Sequence, residues 1–156
     1  MKRFSHIDSL GRARMVDVSG KKASSRRAVA EAIVRVGPEV AKLLSEKGEV
    51  KKGDVLETAR IAGIMAAKRT PELIPLCHPL PLDYVDVYCT VGRTNVTITT
   101  SASTTAKTGV EMECMVAAAV AGLTVYDMCK SAGKDIEIRS VRLLEKSGGK
   151  SGSWRR

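Results

Sequence analysis

A chain of 156 residues with net charge +9, 44% hydrophobic and 28% charged residues, has the composition of one globular domain rather than a disordered segment. Aromatic residues supply only 3%, so the core has to be built from Val, Ile, Leu, Ala and Met. The opening MKRFSHIDSLGR has no apolar run of the kind a secretory signal needs, and no apolar stretch reaches the ~20 residues of a bilayer span, which predicts a cytoplasmic protein without membrane contact.

The reading is a single domain, 1–156, with flexible ends at about 1–13 and 147–156. MVDVSG (15–20) reads as a short strand. In 27–36 the small and apolar residues Ala28, Ala30, Ala32, Val34 and Val36 alternate with Arg27, Val29, Glu31, Ile33 and Arg35, which predicts a strand. Pro38 suits the first turn of a helix running to about Lys47. KGEVKKG (47–53) is a basic loop, and Asp54 caps a second helix, VLETARIAGIMAAKR, that Thr70-Pro71 stops. IPLCHPLPL (74–82) carries three prolines in nine residues, a density that leaves stiff, irregular backbone. DYVDVYCTV (83–91) and NVTITTSAS (95–103) alternate cleanly around Gly92-Arg93-Thr94, a hairpin pattern. DIEIRSVRLLEK (135–146) is a further strand, and KSGGKSGSWRR a basic tail. The fold class expected is α+β, a mostly antiparallel sheet with helices on one face in ferredoxin-like layering.

The centre of the chain is 107–134, KTGVEMECMVAAAVAGLTVYDMCKSAGK. Thr108 and Glu111 have capping-box spacing, and Gly133 is a plausible stop. Between Cys114 and Val125 only Thr124 is polar, so this helix is expected to be buried on several sides. Its ends are charged, with Glu111 and Glu113 at the start and Asp127 and Lys130 at the finish. Glu113 and Asp127 share a face but lie ~21 Å apart along the axis. Small residues at Ala117, Ala118, Ala119, Ala121 and Gly122 would admit a close neighbour. If that neighbour is the same helix of a second copy, running antiparallel, Glu113 of one chain meets Asp127 and Lys130 of the other.

Positive charge is concentrated at both ends: residues 1–52 hold 13 Lys/Arg against 6 Asp/Glu, 53–106 hold 4 against 5, and 107–156 hold 9 against 6. Such an excess attracts anions, whether nucleic acid or a phosphorylated small molecule. The four cysteines never form a CxxC pair, which argues against structural zinc and disulfides. Cys77-His78 has no further ligand at metal spacing, and adjacent residues of an extended chain point apart. GGKS near the end is not a nucleotide P-loop, because position 144 is Leu where a Gly is required. Lys146 and Lys150 among these glycines could still fold over an anion. Lys51-Lys52 precede a helix start, where a lysine is electrostatically unfavourable; they are either solvated loop charges or groups that face a ligand. Asp127 and Lys130, at i and i+3, are either a surface pair or partly desolvated proton-transfer groups.

RMVDVSGK (14–21), KGDVLETARIAGIMAAKRTPELIPLCHPL (52–80), KTGVEMECMVAAAVAGLTVYDMCK (107–130) and VRLLEKSGGKSG (141–152) together resemble the molybdenum cofactor biosynthesis protein C family, the cyclic pyranopterin monophosphate synthases. The resemblance implies a homohexamer, a trimer of dimers, with active sites at the dimer interface. It implies conversion of 3′,8-cyclo-7,8-dihydroguanosine 5′-triphosphate to cyclic pyranopterin monophosphate with release of pyrophosphate, a lyase reaction with no redox cofactor. Mg²⁺ accompanying the triphosphate is left open, and no protein metal site is expected. Substrate-binding segments fall on Leu76, Cys77 and His78 and on Met112 and Glu113. The acid/base aspartate falls on Asp127, with Lys130 and Lys52 as further catalytic groups. Asp17, Lys21, Arg26, Glu111 and Lys146 complete the polar site, with Arg26, Lys52 and Lys146 on the triphosphate. The rivals are a nucleic-acid-binding sheet, which would need stacking aromatics where the hairpin has only Tyr84 and Tyr88, and an assembly protein without catalysis.

Overall fold

The computed structural model describes residues 5–47, 49–50 and 53–156. The first four residues of the expected flexible end, and Lys51 and Lys52 of the basic loop, lie outside them. The described residues form β1 (Ser24–Arg35), α1 (Pro38–Lys47), β2 (Glu49–Val50), β3 (Gly53–Asp54), α2 (Val55–Lys68) and α3 (Thr70–Leu73). They continue with β4 (Tyr84–Val91), β5 (Asn95–Ala106), α4 (Glu111–Cys129), β6 (Glu137–Ser147) and β7 (Trp154–Arg155). The sheet order is β4-β5-β1-β6-β7, antiparallel throughout. Its four long strands and the helices between them follow the β-α-β-β-α-β order of a ferredoxin-like layer, as the sequence suggested.

β1 sits at the centre because one of its faces is made of small residues. Ala28, Ala30, Ala32 and Val34 are at most 1% exposed and alternate with half-buried residues. This shallow face lets α4 lie close to the sheet: a methyl added at Gly122 would meet Val34 at 3.3 Å. α2 lies alongside α4 at equally short range, since a methyl at Gly63 would sit 3.0 Å from the Ala117 carbonyl oxygen and 3.0 Å from Val87. Val87, Val96, Ile98, Ala117, Ala121 and Val125 fill the space between the layers.

Four expectations change. MVDVSG is not a strand: the Asp17 carboxylate takes the Ser19 N–H at 2.8 Å, and such local side-chain bonding competes with sheet pairing. The capping box does not form, because α4 starts at Glu111 behind Val110 and has no side-chain cap. The Ala/Gly face of α4 is not free for a second copy. Ala117, Ala118, Ala121 and Gly122 are buried against β1 and α2 of the same chain, and the exposed stripe carries Met112, Leu123 and Tyr126 instead. Finally, α4 has 19 residues where an apolar stretch of twelve, 114–125, was read, so length and composition alone would let it cross a membrane. Here it is a core helix packed on the sheet and alongside α2. The prolines of 74–82 give irregular backbone as expected, which the Thr104 hydroxyl ties to β5 through the Pro81 carbonyl.

Candidate active site

A cavity of about 1070 Å³ opens where β1 starts, α4 starts and β6 ends. Its lining holds seven cationic side chains, Lys21, Lys22, Arg26, Arg27, Lys107, Lys146 and Lys150, against one carboxylate, Glu111. That carboxylate is already engaged, since Lys146 Nζ lies 3.0 Å from Glu111 Oε1. Charge of one sign focused in a concave site concentrates anions of the opposite sign.

Local backbone explains how the cations are held. The segment before β1 is fastened by Lys107, whose Nζ donates to the Ser19 carbonyl at 2.9 Å, and this brings Lys21 to the cavity. Asp17, exposed beside it, is lowered in pKa chiefly by the backbone N–H of Ser19, with Lys107 and Arg14 adding to the effect. Arg26 reaches across from β1 to the Gly148 carbonyl at 3.4 Å. Gly149 makes room for its guanidinium, and Gly148 for the Ser25 carbonyl. Gly148 has φ +95° and Gly149 φ +72°, and a methyl on Gly149 would fall 1.6 Å from Arg26 Nη1. Glycine adopts such angles without strain. Arg26 Nε is buried with no hydrogen-bond partner among the described residues, as is the Ser24 hydroxyl. Glu111 is accommodated in the same manner, for a methyl on Gly109 would lie 1.8 Å from its Oε2.

Two residues of α4, little more than half a turn, separate Glu111 at the rim from Glu113 in the interior. Glu113 is 3% exposed, and burial raises its pKa, with the neighbouring Glu111 charge adding to the rise. Cys77 is raised chiefly by burial and then by the charge of Glu113, so the proline-rich segment and the start of α4 form one neighbourhood. Leu76, Cys77 and His78 are half-buried there, while Met112 points outward at 38% exposure. A thiol whose anion is disfavoured is a poor nucleophile. Cys114, with its Sγ on the Ala28 carbonyl and its pKa pushed up to about 12 by burial, is a core residue. All four cysteines are free.

Within one chain the predicted residues fall into two groups. Lys21, Arg26, Glu111 and Lys146 line the cavity; Asp17 lies near its Lys107 rim; Glu113, Met112 and Leu76–His78 adjoin the start of α4. Asp127 and Lys130 stand at the other end of the helix, exposed and bonded to each other at 2.6 Å. That ion pair holds the Lys130 pKa up, the hydrogen bond being the larger cause. Lys52 is not among the described residues. Lys22, Arg27 and Lys107 were not singled out from the sequence, although the basic excess of both chain ends pointed to such a cluster. Among the described residues, no group of three or more His, Cys, Asp or Glu could hold a metal ion.

Residues 15–149 match the MoaC family. Two curated relatives carry the name cyclic pyranopterin monophosphate synthase. The protein from Roseiflexus sp. is 52% identical over 156 residues, covering 99% of this chain and 98% of its own. The one from Streptomyces coelicolor is 54% identical over 154 residues, covering 99% and 90% respectively.

Proposed function

The chain belongs to the MoaC family, and we propose that it acts as a cyclic pyranopterin monophosphate synthase in molybdenum cofactor biosynthesis. The observation that carries this reading is the cavity of seven cations around one paired carboxylate, with the buried Glu113 two residues further along α4. Its substrate is 3′,8-cyclo-7,8-dihydroguanosine 5′-triphosphate, and pyrophosphate leaves when a substrate hydroxyl oxygen closes the cyclic phosphate on the α-phosphorus. Guanidinium and ammonium donors form their strongest hydrogen bonds with such oxyanions. Arg26, Lys21 and Lys146 take the triphosphate, with Lys52 as a further donor. A buried Arg26 Nε without a partner costs ~1–3 kcal/mol, a penalty that an accepting phosphate oxygen removes. Glu113 stays protonated to a higher pH than an ordinary glutamate and can donate a hydrogen bond or a proton to the purine-derived ring. Leu76, Cys77, His78 and Met112 border that ring. The rearrangement needs no redox cofactor.

Opening one ring and closing another requires an acid and a base on the same ligand, a role that falls to Asp127 with Lys130. Because they stand ~21 Å along α4 from Glu113, a second copy must supply them. The exposed stripe of Met112, Leu123 and Tyr126, which runs from one helix end to the other, is the surface that favours such a pairing. The site is therefore shared across a dimer, and three dimers make a cytoplasmic hexamer. Incubation with the cyclised GTP derivative, following pyrophosphate and the pterin product together, tests the function. Stoichiometric release of both supports it, and an intact substrate after complete incubation with folded protein contradicts it.

A further inference from the structure

The basic cavity is closed on one side by a loop whose far end is tied down by residues that do not touch the cavity. β7 pairs antiparallel with β6, Arg155 opposite Glu145 and Trp154 opposite Lys146. Directly opposite residues share a face. Trp154 is therefore on the side of Lys146, whose ammonium group meets Glu111, and Arg155 is on the other side, 3.0 Å from Glu145. Arg156 adds two bonds to the same strand, its backbone N–H to the Leu144 carbonyl at 2.9 Å and its Nε to the Leu143 carbonyl at 3.1 Å. Its guanidinium carbon stands 5.9 Å from the centre of the Trp154 ring, within cation–π range. Between the two strands, Gly148, Gly149, Lys150 and Ser151 line the cavity. Gly148, Gly149 and Gly152 all have positive φ, and within the loop the Gly152 N–H bonds the Gly149 carbonyl at 3.2 Å. Glycines in these conformations lose more entropy on ordering than any other residue. A loop so rich in them keeps one shape only if both ends are fixed.

We propose that β7 is a positioning element for substrate binding: by anchoring the second end of the 148–153 loop to β6, it presents Lys150 and the Gly148 carbonyl that orients Arg26 to the anionic part of the substrate. Trp154, Arg155 and Arg156 act through that loop and touch no ligand. The inference rests on the proposed function, because it takes the cavity as the triphosphate site. Preorganising a loop improves affinity by removing the ordering cost from the binding step.

The test compares the full chain with a chain ending at Gly152 and with Trp154→Gly and Trp154→Tyr. Each is measured for binding of inorganic pyrophosphate by calorimetry, for KM and kcat separately, and for thermal unfolding. Ending the chain at Gly152 should weaken pyrophosphate binding and raise KM about tenfold, the factor carried by roughly one immobilised side chain, with kcat retained. Trp154→Gly should move KM in the same direction and Trp154→Tyr should restore it, which keeps the test valid should the shortened chain misfold. Equal KM and equal pyrophosphate affinity in the full chain, the shortened chain and Trp154→Gly would overturn the role of β7, provided the full chain turns substrate over. A folded full chain that neither binds pyrophosphate nor turns over would overturn the functional reading and this inference with it.

Discussion

Gly149→Ala separates the role of Arg26 from that of the charge around it. The added methyl would lie 1.6 Å from Arg26 Nη1 and 2.3 Å from Cζ, too close for both to stay. The guanidinium is the end of a flexible side chain, so Arg26 is the group that yields, and it leaves the Gly148 carbonyl it now reaches at 3.4 Å. Holding alanine at φ +72° costs a further ~1–2 kcal/mol of stability. Displacing Arg26 removes a charged hydrogen bond to the bound anion, worth ~1.5–3 kcal/mol. That loss corresponds to a KM ~10- to ~150-fold higher. The assay is steady-state kinetics together with pyrophosphate competition, on Gly149→Ala, Arg26→Ala and the double variant. If the methyl acts by evicting Arg26, the double variant binds no worse than Arg26→Ala, a strongly non-additive result. Additive losses, or a Gly149→Ala protein with the parent KM, would refute the assignment of Arg26 to the anion.

Asp127→Asn should lose turnover by orders of magnitude while its unfolding curve and assembly state stay those of the parent; a near-normal rate would leave the Asp127–Lys130 pair a surface feature. Raising salt should raise KM and weaken pyrophosphate competition, and Lys146→Ala should flatten that salt dependence, both read from initial rates. Glu113 gives a pH signature in stability. Its folded pKa is raised, so its contribution is fully present below the unfolded value of about 4.5 and is lost as pH rises through the folded one. Glu113→Gln should therefore unfold at a higher temperature than the parent at neutral pH, the gap shrinking towards pH 4, while activity falls; a gap independent of pH would contradict the burial account. Gly63→Ala should destabilise the protein without touching the cavity, since its methyl would press on the Ala117 carbonyl and Val87 at 3.0 Å.

Much of the architecture was legible because it is written in local patterns. The alternation from Ala28 to Val34 marked the central strand, Asp54 marked the start of α2, and three prolines marked the irregular segment that carries Cys77 and His78. Features set by distant partners were not legible. Glu111 looked like half of a capping box, yet it pairs with Lys146, 35 residues away in sequence. The small face of α4 was visible as a surface for close approach, but only the tertiary fold reveals that β1 and α2 occupy it. The cavity draws its cations from the segment before β1, the start of β1, the residue after β5, the end of β6 and the loop that follows it, so no spacing rule could have grouped Lys22, Arg27 and Lys107. Gly148 and Gly149, beside Arg26, had been read only as part of a basic tail, and Gly109, beside Glu111, had not been singled out. Nor did the composition of the last residues suggest a strand, because β7 is specified by its partner β6 and not by a pattern of its own.

The central claim is that one reaction centre is assembled from two chains, with Glu113 and the phosphate-binding cations from one and Asp127 with Lys130 from the other. Subunit mixing tests it most directly. Glu113→Ala and Asp127→Ala, each nearly inactive alone, are unfolded, combined in equal amounts and reassembled, with the exchange verified by native mass spectrometry of differently tagged chains. In a random mixture about half of the dimers carry one of each variant, and each of these holds one doubly damaged site and one intact site, so about a quarter of parental activity should return. Verified exchange with no recovered activity would mean that a single chain serves both ends of the reaction, and the shared site would be wrong.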